Sequence, residues 1–176
     1  CIHQNCSAVF QDYQRYRTTL EENITISSNN SGNNKFTKLV NACEKAKLSI
    51  NNDSFPQGFD TMLSREFGGV DLSGGQWQRI AIARGLFREH DIIVLDEPTS
   101  AIDPIEESRM YQDFKEISEG KASIIITHRL GSARIADRII VLKDGIIDDM
   151  GTHEQLISKG GLYSEMYRTQ AQWYEQ

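Results

Sequence analysis

Two apolar runs, Ile92–Leu95 and Ser123–Ile126, constrain this chain more than any other feature of it. Both are rich in β-branched residues and too short for helices. Continuous apolar runs of this length suit strands buried on both faces of a parallel sheet. Between them Met110, Phe114 and Ile117 recur at helical spacing, and Gly120 supplies a helix stop, so the stretch reads as strand, crossover helix, strand. Each run ends abruptly in residues that can do chemistry: Asp96 and Glu97 after the first, Thr127 and His128 after the second. In open α/β sheets ligands bind beyond the carboxyl ends of the strands, where these four residues stand.

Just upstream lies LSGGQ, Leu72–Gln76. Ser73 as N-cap and Gln76 three residues later form a capping-box pattern that points the first backbone N–H groups of a helix outward. Gly74 and Gly75 remove the side chains that would hold a phosphate away, so the turn is an anion-seeking element. The helix behind it is expected to bury Ile80, Ala83 and Phe87 and to expose Arg79, Arg88 and Glu89. Further along, Asp103, Pro104 and Glu106 are favoured choices for another helix start. Nearer the beginning, Ala8–Phe10 looks like the end of a strand leading to Gln11. Each of these residues has a bland reading when taken singly: a loop glutamine, capped strand ends, a core histidine. Their combination points to a site.

Gln11, LSGGQ at Leu72–Gln76, IIVLDE at Ile92–Glu97, SAID at Ser100–Asp103 and His128 together resemble the Q-loop, signature motif, Walker B strand with catalytic glutamate, D-loop and H-loop of the ATP-binding cassette (ABC) ATPases. Order and spacing match across nearly the whole chain. The resemblance implies an α/β fold: a partial P-loop NTPase (RecA-like) core with a mainly parallel sheet and an inserted helical subdomain. Residues 1–26 would be the Q-loop strand and loop, 27–90 the helical subdomain with the signature, and 91–176 the C-terminal part of the core. It also implies ATP and Mg²⁺ as cofactors. Asp96 would orient Mg²⁺, usually through water because the ion dehydrates reluctantly, with the neutral amide of Gln11 joining or leaving the same shell. Glu97 would polarise the attacking water for in-line phosphoryl transfer, and the His128 imidazole would link that water to the γ-phosphate. Ser73, Gly74, Gly75 and Gln76, with Asp103 of the D-loop, would bind nucleotide held by a second nucleotide-binding domain, packed head to tail across LSGGQ.

One family element does not occur in the 176 residues. There is no GxxxxGK[ST] phosphate loop, and Gly-Lys appears only at Gly120-Lys121 without upstream glycines. In the family that loop precedes the Q-loop, so the chain reads as a nucleotide-binding domain that begins after its own phosphate cradle. The isolated chain is accordingly expected to be inactive, with sheet edges and apolar surface left uncovered.

The remaining sequence narrows the class. A net charge of -6 argues against nucleic acid as a partner, because such affinity rests on clustered Lys and Arg. No apolar run approaches membrane-spanning length, and CIHQNCSAVF lacks the features of a signal peptide, so a soluble piece is expected; the resemblance implies that it is held at the cytoplasmic face of a membrane by a transmembrane domain of the same transporter. Cys1, Cys6 and Cys43 match no metal spacing and read as reduced thiols. Tyr13, Tyr16 and Arg17, after the Q-loop, either join the surface facing the transmembrane partner or pack inward.

Ser27–Asn34 is a polar loop, followed by an amphipathic helix with Phe36, Leu39, Val40, Cys43 and Ala46 on its apolar stripe. The segment from Phe55 to Asp71 is mostly loop, with Glu66 either a surface carboxylate or a charged position near the coupling loops of exporters. His3, His90 and His153 read as surface residues. Toward the end, Ile139–Leu142 and Ile146–Asp148 form strands about a Lys143-Asp144-Gly145 turn. Thr152 and Gln155 cap a short helix through Ile157, and a last amphipathic helix carries Leu162, Met166, Trp173 and Tyr174. This C-terminal phrase resembles exporter-type cassettes. Two alternatives remain: a soluble ABC-type ATPase of DNA maintenance or translation, and a non-catalytic interaction fragment.

Overall fold

A computed structural model describes residues 5–28, 34–98, 112–118 and 120–174, which fall into two units, Cys1–Ile126 and Thr127–Gln176. Asp103 and the rest of the D-loop, Pro104, Glu106, Met110, Cys1, His3, most of the Ser27–Asn34 loop and the side chains of Trp173 and Tyr174 lie outside the described residues.

In the first unit, strands β1 (Cys6–Val9), β2 (Ile92–Asp96) and β3 (Ala122–Ile126) form a parallel sheet in that order. The two apolar runs are therefore adjacent parallel strands, as their composition requires. They differ in burial, however. Ile93 and Leu95 of β2 are fully buried between β1 and β3, whereas Ile124 and Ile126 of β3 are about half exposed, at 53% and 50%. Among the described residues β3 pairs only with β2, and residues on both of its faces, Ser123 and Ile124 among them, are exposed. Residues 112–117 are helical and bury Phe114 and Ile117, two of the three positions in the crossover pattern.

Further helices among the described residues of this unit are α1 (Leu20–Thr25), α2 (Lys35–Lys45) and α3 (Gly74–Phe87), with 3₁₀ turns at Gly58–Asp60 and Arg65–Phe67. Their core joins Leu20 and Ile24 of α1, Leu39, Ala42 and Cys43 of α2, and Ile80 and Ala83 of α3, with Phe55 and Leu63 from the loops between. Each such side chain contributes about 1.5–3 kcal/mol by leaving water. The α2 stripe is shifted from the expected one. Phe36 is exposed and meets Phe59 edge-on, while Ala42 takes an inner place. Cys43 packs as an apolar group, burial pushing its thiol up to about 12.

α3 departs further from expectation. It is buried on nearly all sides, with Trp77, Gln78, Ala81 and Ile82 inside as well as the expected stripe. A helix enclosed in this way has no free polar face. Arg79 is consequently not exposed: its guanidinium donates to the Ala46 carbonyl at 3.0 Å and lies 3.5 Å from the Asp113 carboxylate. The helix is anchored to the sheet where Ser7 Oγ of β1 donates to the Gly85 carbonyl at 2.7 Å. His90 is a second correction. It is buried, with Nδ1 2.6 Å from the Arg88 carbonyl and Nε2 3.3 Å from Lys121 Nζ. Burial, chiefly, holds its imidazole below the usual histidine range, with the Lys121 ammonium adding to the effect.

The second unit is built on an antiparallel hairpin of β4 (Ile139–Lys143) and β5 (Ile146–Gly151). Lys143 pairs with Ile146, so the loop has two residues rather than three. Asp144 and Gly145 both have positive φ, 51° and 79°, which is the type I′ turn that matches strand twist. Helices α4 (Leu130–Ala133), α5 (His153–Lys159) and α6 (Leu162–Tyr174) complete the unit. Its core is Leu130, Val141, Leu156 and Tyr163. On α6 Tyr163 and Ser164 are buried and the expected Leu162 packs against the core with Tyr167, whereas Met166 is exposed, and His153 is drawn in by a 2.9 Å contact between its Nδ1 and the Tyr163 hydroxyl.

Candidate functional site

The parallel register brings three of the sequence-identified residues to one edge of the sheet. Val9 lies opposite Leu95, and Asp96 lies opposite Ile126. Gln11 is two residues past Val9 and Glu97 two past Leu95, so Gln11, Asp96 and Glu97 leave adjacent strands at the same carboxyl edge. Gln11 is exposed; the two acids are half-buried. Glu97 has φ of +44°, in the left-handed region, which costs a residue with a Cβ about 1–2 kcal/mol. Its N–H donates to the Ile126 carbonyl at 2.9 Å, extending the β2–β3 ladder one residue beyond the strand and holding the strained backbone in place. Strain of this kind persists only where the surroundings enforce it, and it is commonest at working sites.

The signature turn is held as its sequence suggested. Ser73 is extended, with φ −64° and ψ 160°, and its Oγ accepts from Gln76 N at 3.2 Å. Gln76 Oε1 accepts from Ser73 N at 2.9 Å, and its Nε2 donates to Ser54 Oγ at 2.8 Å. Gln76 is thus spent on fixing the turn. Gly74 and Gly75 have no positive φ, and a Cβ built on either would meet nothing within 4 Å. Nothing among the described residues calls for glycine there, although glycine within a helix costs up to about 1 kcal/mol against alanine.

Thr127 and His128 open the second unit. Thr127 Oγ1 accepts from Arg129 N at 2.9 Å, a local side-chain turn. The His128 carbonyl accepts from Gln170 Nε2, and Gln170 Oε1 accepts from Leu130 N at 2.8 Å, so one amide on α6 clamps the backbone around the histidine. Sequence reasoning missed Gln170, since a glutamine on the polar side of an amphipathic helix carries no signal. It also missed Asn23 and Arg84. Asn23 is fully buried, and its Nδ2 lies within hydrogen-bond distance of the carbonyls of Tyr16, Thr18 and Thr19. Arg84 Nε donates to the Asn23 carbonyl at 2.7 Å, and its Nη1 to the Gln14 carbonyl at 3.0 Å. Glu66 forms an exposed ion pair with Arg17.

A family profile described as ABC transporter matches residues 2–100. The chain belongs to the ABC transporter family. Over 167 residues it is 40% identical to the nisin transport ATP-binding protein NisT of Lactococcus lactis subsp. lactis, covering 93% of this chain and 27% of that protein. It is 42% identical over 163 residues to the subtilin transport ATP-binding protein SpaT of Bacillus subtilis, covering 91% and 26%. A solved bacterial Atm1-family ABC exporter with ATP bound superposes with a TM-score of 0.80 at 31% identity, covering 96% of this chain and 28% of that one. This ABC chain therefore spans about a quarter of the length of the relatives it matches. Its α/β fold with a parallel sheet is that of an ABC nucleotide-binding domain, and ATP binding is the property the family carries.

The donor set is compatible with Mg²⁺ held the way that ion is usually held. Among the described residues no three His, Cys, Asp or Glu side chains come together as a cage. One strand-end carboxylate and one amide at the same sheet edge suit a cation that keeps water and phosphate oxygens in its shell. No helix among the described residues is long and apolar enough to cross a membrane.

Proposed function

We propose that these 176 residues are most of the nucleotide-binding domain of an exporter-type ABC transporter, coupling ATP binding and hydrolysis to movement of a substrate across a membrane. The observation that carries this reading is the glycine pair of the signature turn: two glycines that the described residues neither crowd nor twist, on a helix start with outward N–H groups. Their purpose lies in a surface that arrives from outside, and a phosphate held by a second cassette, packed head to tail, fits the chemistry.

In this reading Asp96 and Gln11 orient Mg²⁺, which neutralises charge on the phosphate oxygens when bound. Glu97 holds the attacking water in line, its carboxylate aimed by the strained strand-end turn. His128 reports the γ-phosphate to that water, with Gln170 fixing its backbone. Asp103, of the D-loop, contributes to binding the nucleotide held by the opposite cassette. The open hollow of about 240 Å³ beside β1 and α3, lined in part by Asp12, Tyr16, Ser27, Arg84 and the exposed Phe10, takes a cytoplasmic helix of the transmembrane domain. The helical subdomain spans residues 27–90, between the strands of the core. Because these 176 residues contain no phosphate loop, the stretch alone turns over little or no ATP.

Phosphate release by the full transporter polypeptide is the test. Glu97→Gln should lower it at least about a hundredfold while ATP still binds, since removing a positioned base or water-orienting group costs that much. Turnover at the unaltered rate would overturn the assignment. Release from the 176 residues alone at the full polypeptide's rate would overturn the claim that they are incomplete for catalysis.

A further inference from the structure

The segment after Gln11 makes polar contacts with α3 of unequal strength near the two ends of that helix. At its far end Arg84 makes a charge-assisted anchor, with Nε and Nη1 on the Asn23 and Gln14 carbonyls, Nη2 3.2 Å from Asn23 Oδ1, and the guanidinium 4.9 Å over the Tyr16 ring. At its near end there is one neutral hydrogen bond, from the Tyr13 hydroxyl to the Gly74 carbonyl at 3.1 Å. Gly74 and Arg84 are ten residues apart on one helix, about 15 Å at 1.5 Å per residue. The segment is thus fixed firmly at one end of α3 and lightly at the other, which is the signature turn itself.

The atom that Tyr13 touches matters. The Gly74 carbonyl shares its peptide plane with the N–H of Gly75, one of the donors that the start of α3 turns outward. A hydrogen bond accepted by a peptide oxygen fixes that plane and makes the N–H across it a stronger donor. The Gly74 carbonyl has a second lone pair for this in addition to any bond it accepts within the helix.

We propose that Tyr13 is a positioning residue for the signature turn: its hydroxyl aims and polarises the Gly74–Gly75 peptide and makes that donor answer to the state of the segment following Gln11. When the segment shifts about its Arg84 anchor, the Tyr13 contact is the one that breaks, because a single neutral bond is weaker than a charge-assisted fork of several. This rests on the reading that the signature turn receives phosphate from a second cassette.

Tyr13→Phe deletes only the hydroxyl. In the 176-residue chain, NMR should show the Gly75 amide proton moving upfield while the Gln76 amide, bonded to Ser73 Oγ, stays in place and the urea midpoint is unchanged. In the full polypeptide kcat for ATP hydrolysis should fall about two- to tenfold, the worth of one hydrogen bond, with ATP affinity unaltered. A purely structural tyrosine would move the urea midpoint and spare the Gly75 shift. Ser73→Arg, which fills the turn, is the parallel arm. If Ser73→Arg leaves hydrolysis intact, the phosphate reading itself fails. If Ser73→Arg abolishes hydrolysis while Tyr13→Phe changes neither kcat nor the Gly75 shift, the positioning role alone is wrong.

Discussion

Gly68 and Gly69 lead into the signature, and the same substitution at each should fail for different reasons and by different amounts. Gly68 has φ of +75° and open space where a Cβ would go, so Gly68→Ala costs only the left-handed conformation, about 1–2 kcal/mol. Gly69 has an ordinary backbone, but its Cβ would fall 1.9 Å from the Met62 carbonyl oxygen and 2.6 Å from its carbon. Met62 cannot yield easily. Its carbonyl accepts from Val70 N at 2.9 Å, it bridges Thr19, and its neighbours bond across to the start of α1, Leu63 N to Thr18 O and Leu20 N to Thr61 O, both at 3.0 Å. Gly69→Ala therefore combines overpacking, about 1–3 kcal/mol, with at least one broken backbone bond, about 1–3 kcal/mol more. Urea unfolding followed by Trp77 fluorescence in a Trp173→Phe background measures both. At slopes of about 1–3 kcal/mol per molar, Gly69→Ala should lower the midpoint at least about twice as far as Gly68→Ala. Equal shifts, or the reverse order, would refute the contact argument.

Asn23→Ala should cost about 2–4 kcal/mol in the same assay, since it removes the side-chain donor to the carbonyls of Tyr16 and Thr18, the acceptor of the Tyr16 N–H and one arm of Arg84. Asn23→Asp should also destabilise, because a carboxylate cannot donate to those carbonyls; wild-type midpoints for both would dismiss the network. His90 gives a pH dependence. Its folded pKa is lowered mainly by burial, so the unfolded chain takes the proton first, near 6.5, and stability present above that pH is lost as the pH falls toward the folded value. Thermal midpoints between pH 7 and 5 should therefore slope less in His90→Gln than in wild type, and an unchanged slope would count against the buried neutral imidazole. Ser73→Ala removes one side of the capping box and should cost about 1 kcal/mol, read by urea unfolding; no change would mean the cap contributes nothing here.

Helix-cap chemistry was more legible in the sequence than packing was. Ser73 with Gln76 and Thr152 with Gln155 were legible because cap chemistry is local and its spacing is fixed by the helix. The same pattern at Thr19 and Glu22 opens α1, yet six residues give no apolar period to recognise. α3 carries a mixed pattern because it is enclosed, so Arg79 looked solvated and proved paired. His90 looked like a surface residue because nothing local announces that Lys121, thirty-one positions on, will lie against it. Strand β3 was legible as a strand but not in its exposure, since an apolar run does not tell how many neighbours will cover it. Asn23, Arg84 and Gln170 all act on backbone atoms brought close by tertiary structure, and such contacts leave no pattern in one dimension.

The central claim is that the signature turn of one cassette and the strand-end acid of another serve a single nucleotide. Phosphate release by a mixture of full transporter polypeptides, one set carrying Ser73→Arg and the other Glu97→Gln, addresses it directly. Head-to-tail pairing predicts turnover above that of either variant alone, because each mixed dimer holds one site with an intact turn facing an intact acid. A mixture no more active than its parents would contradict the account.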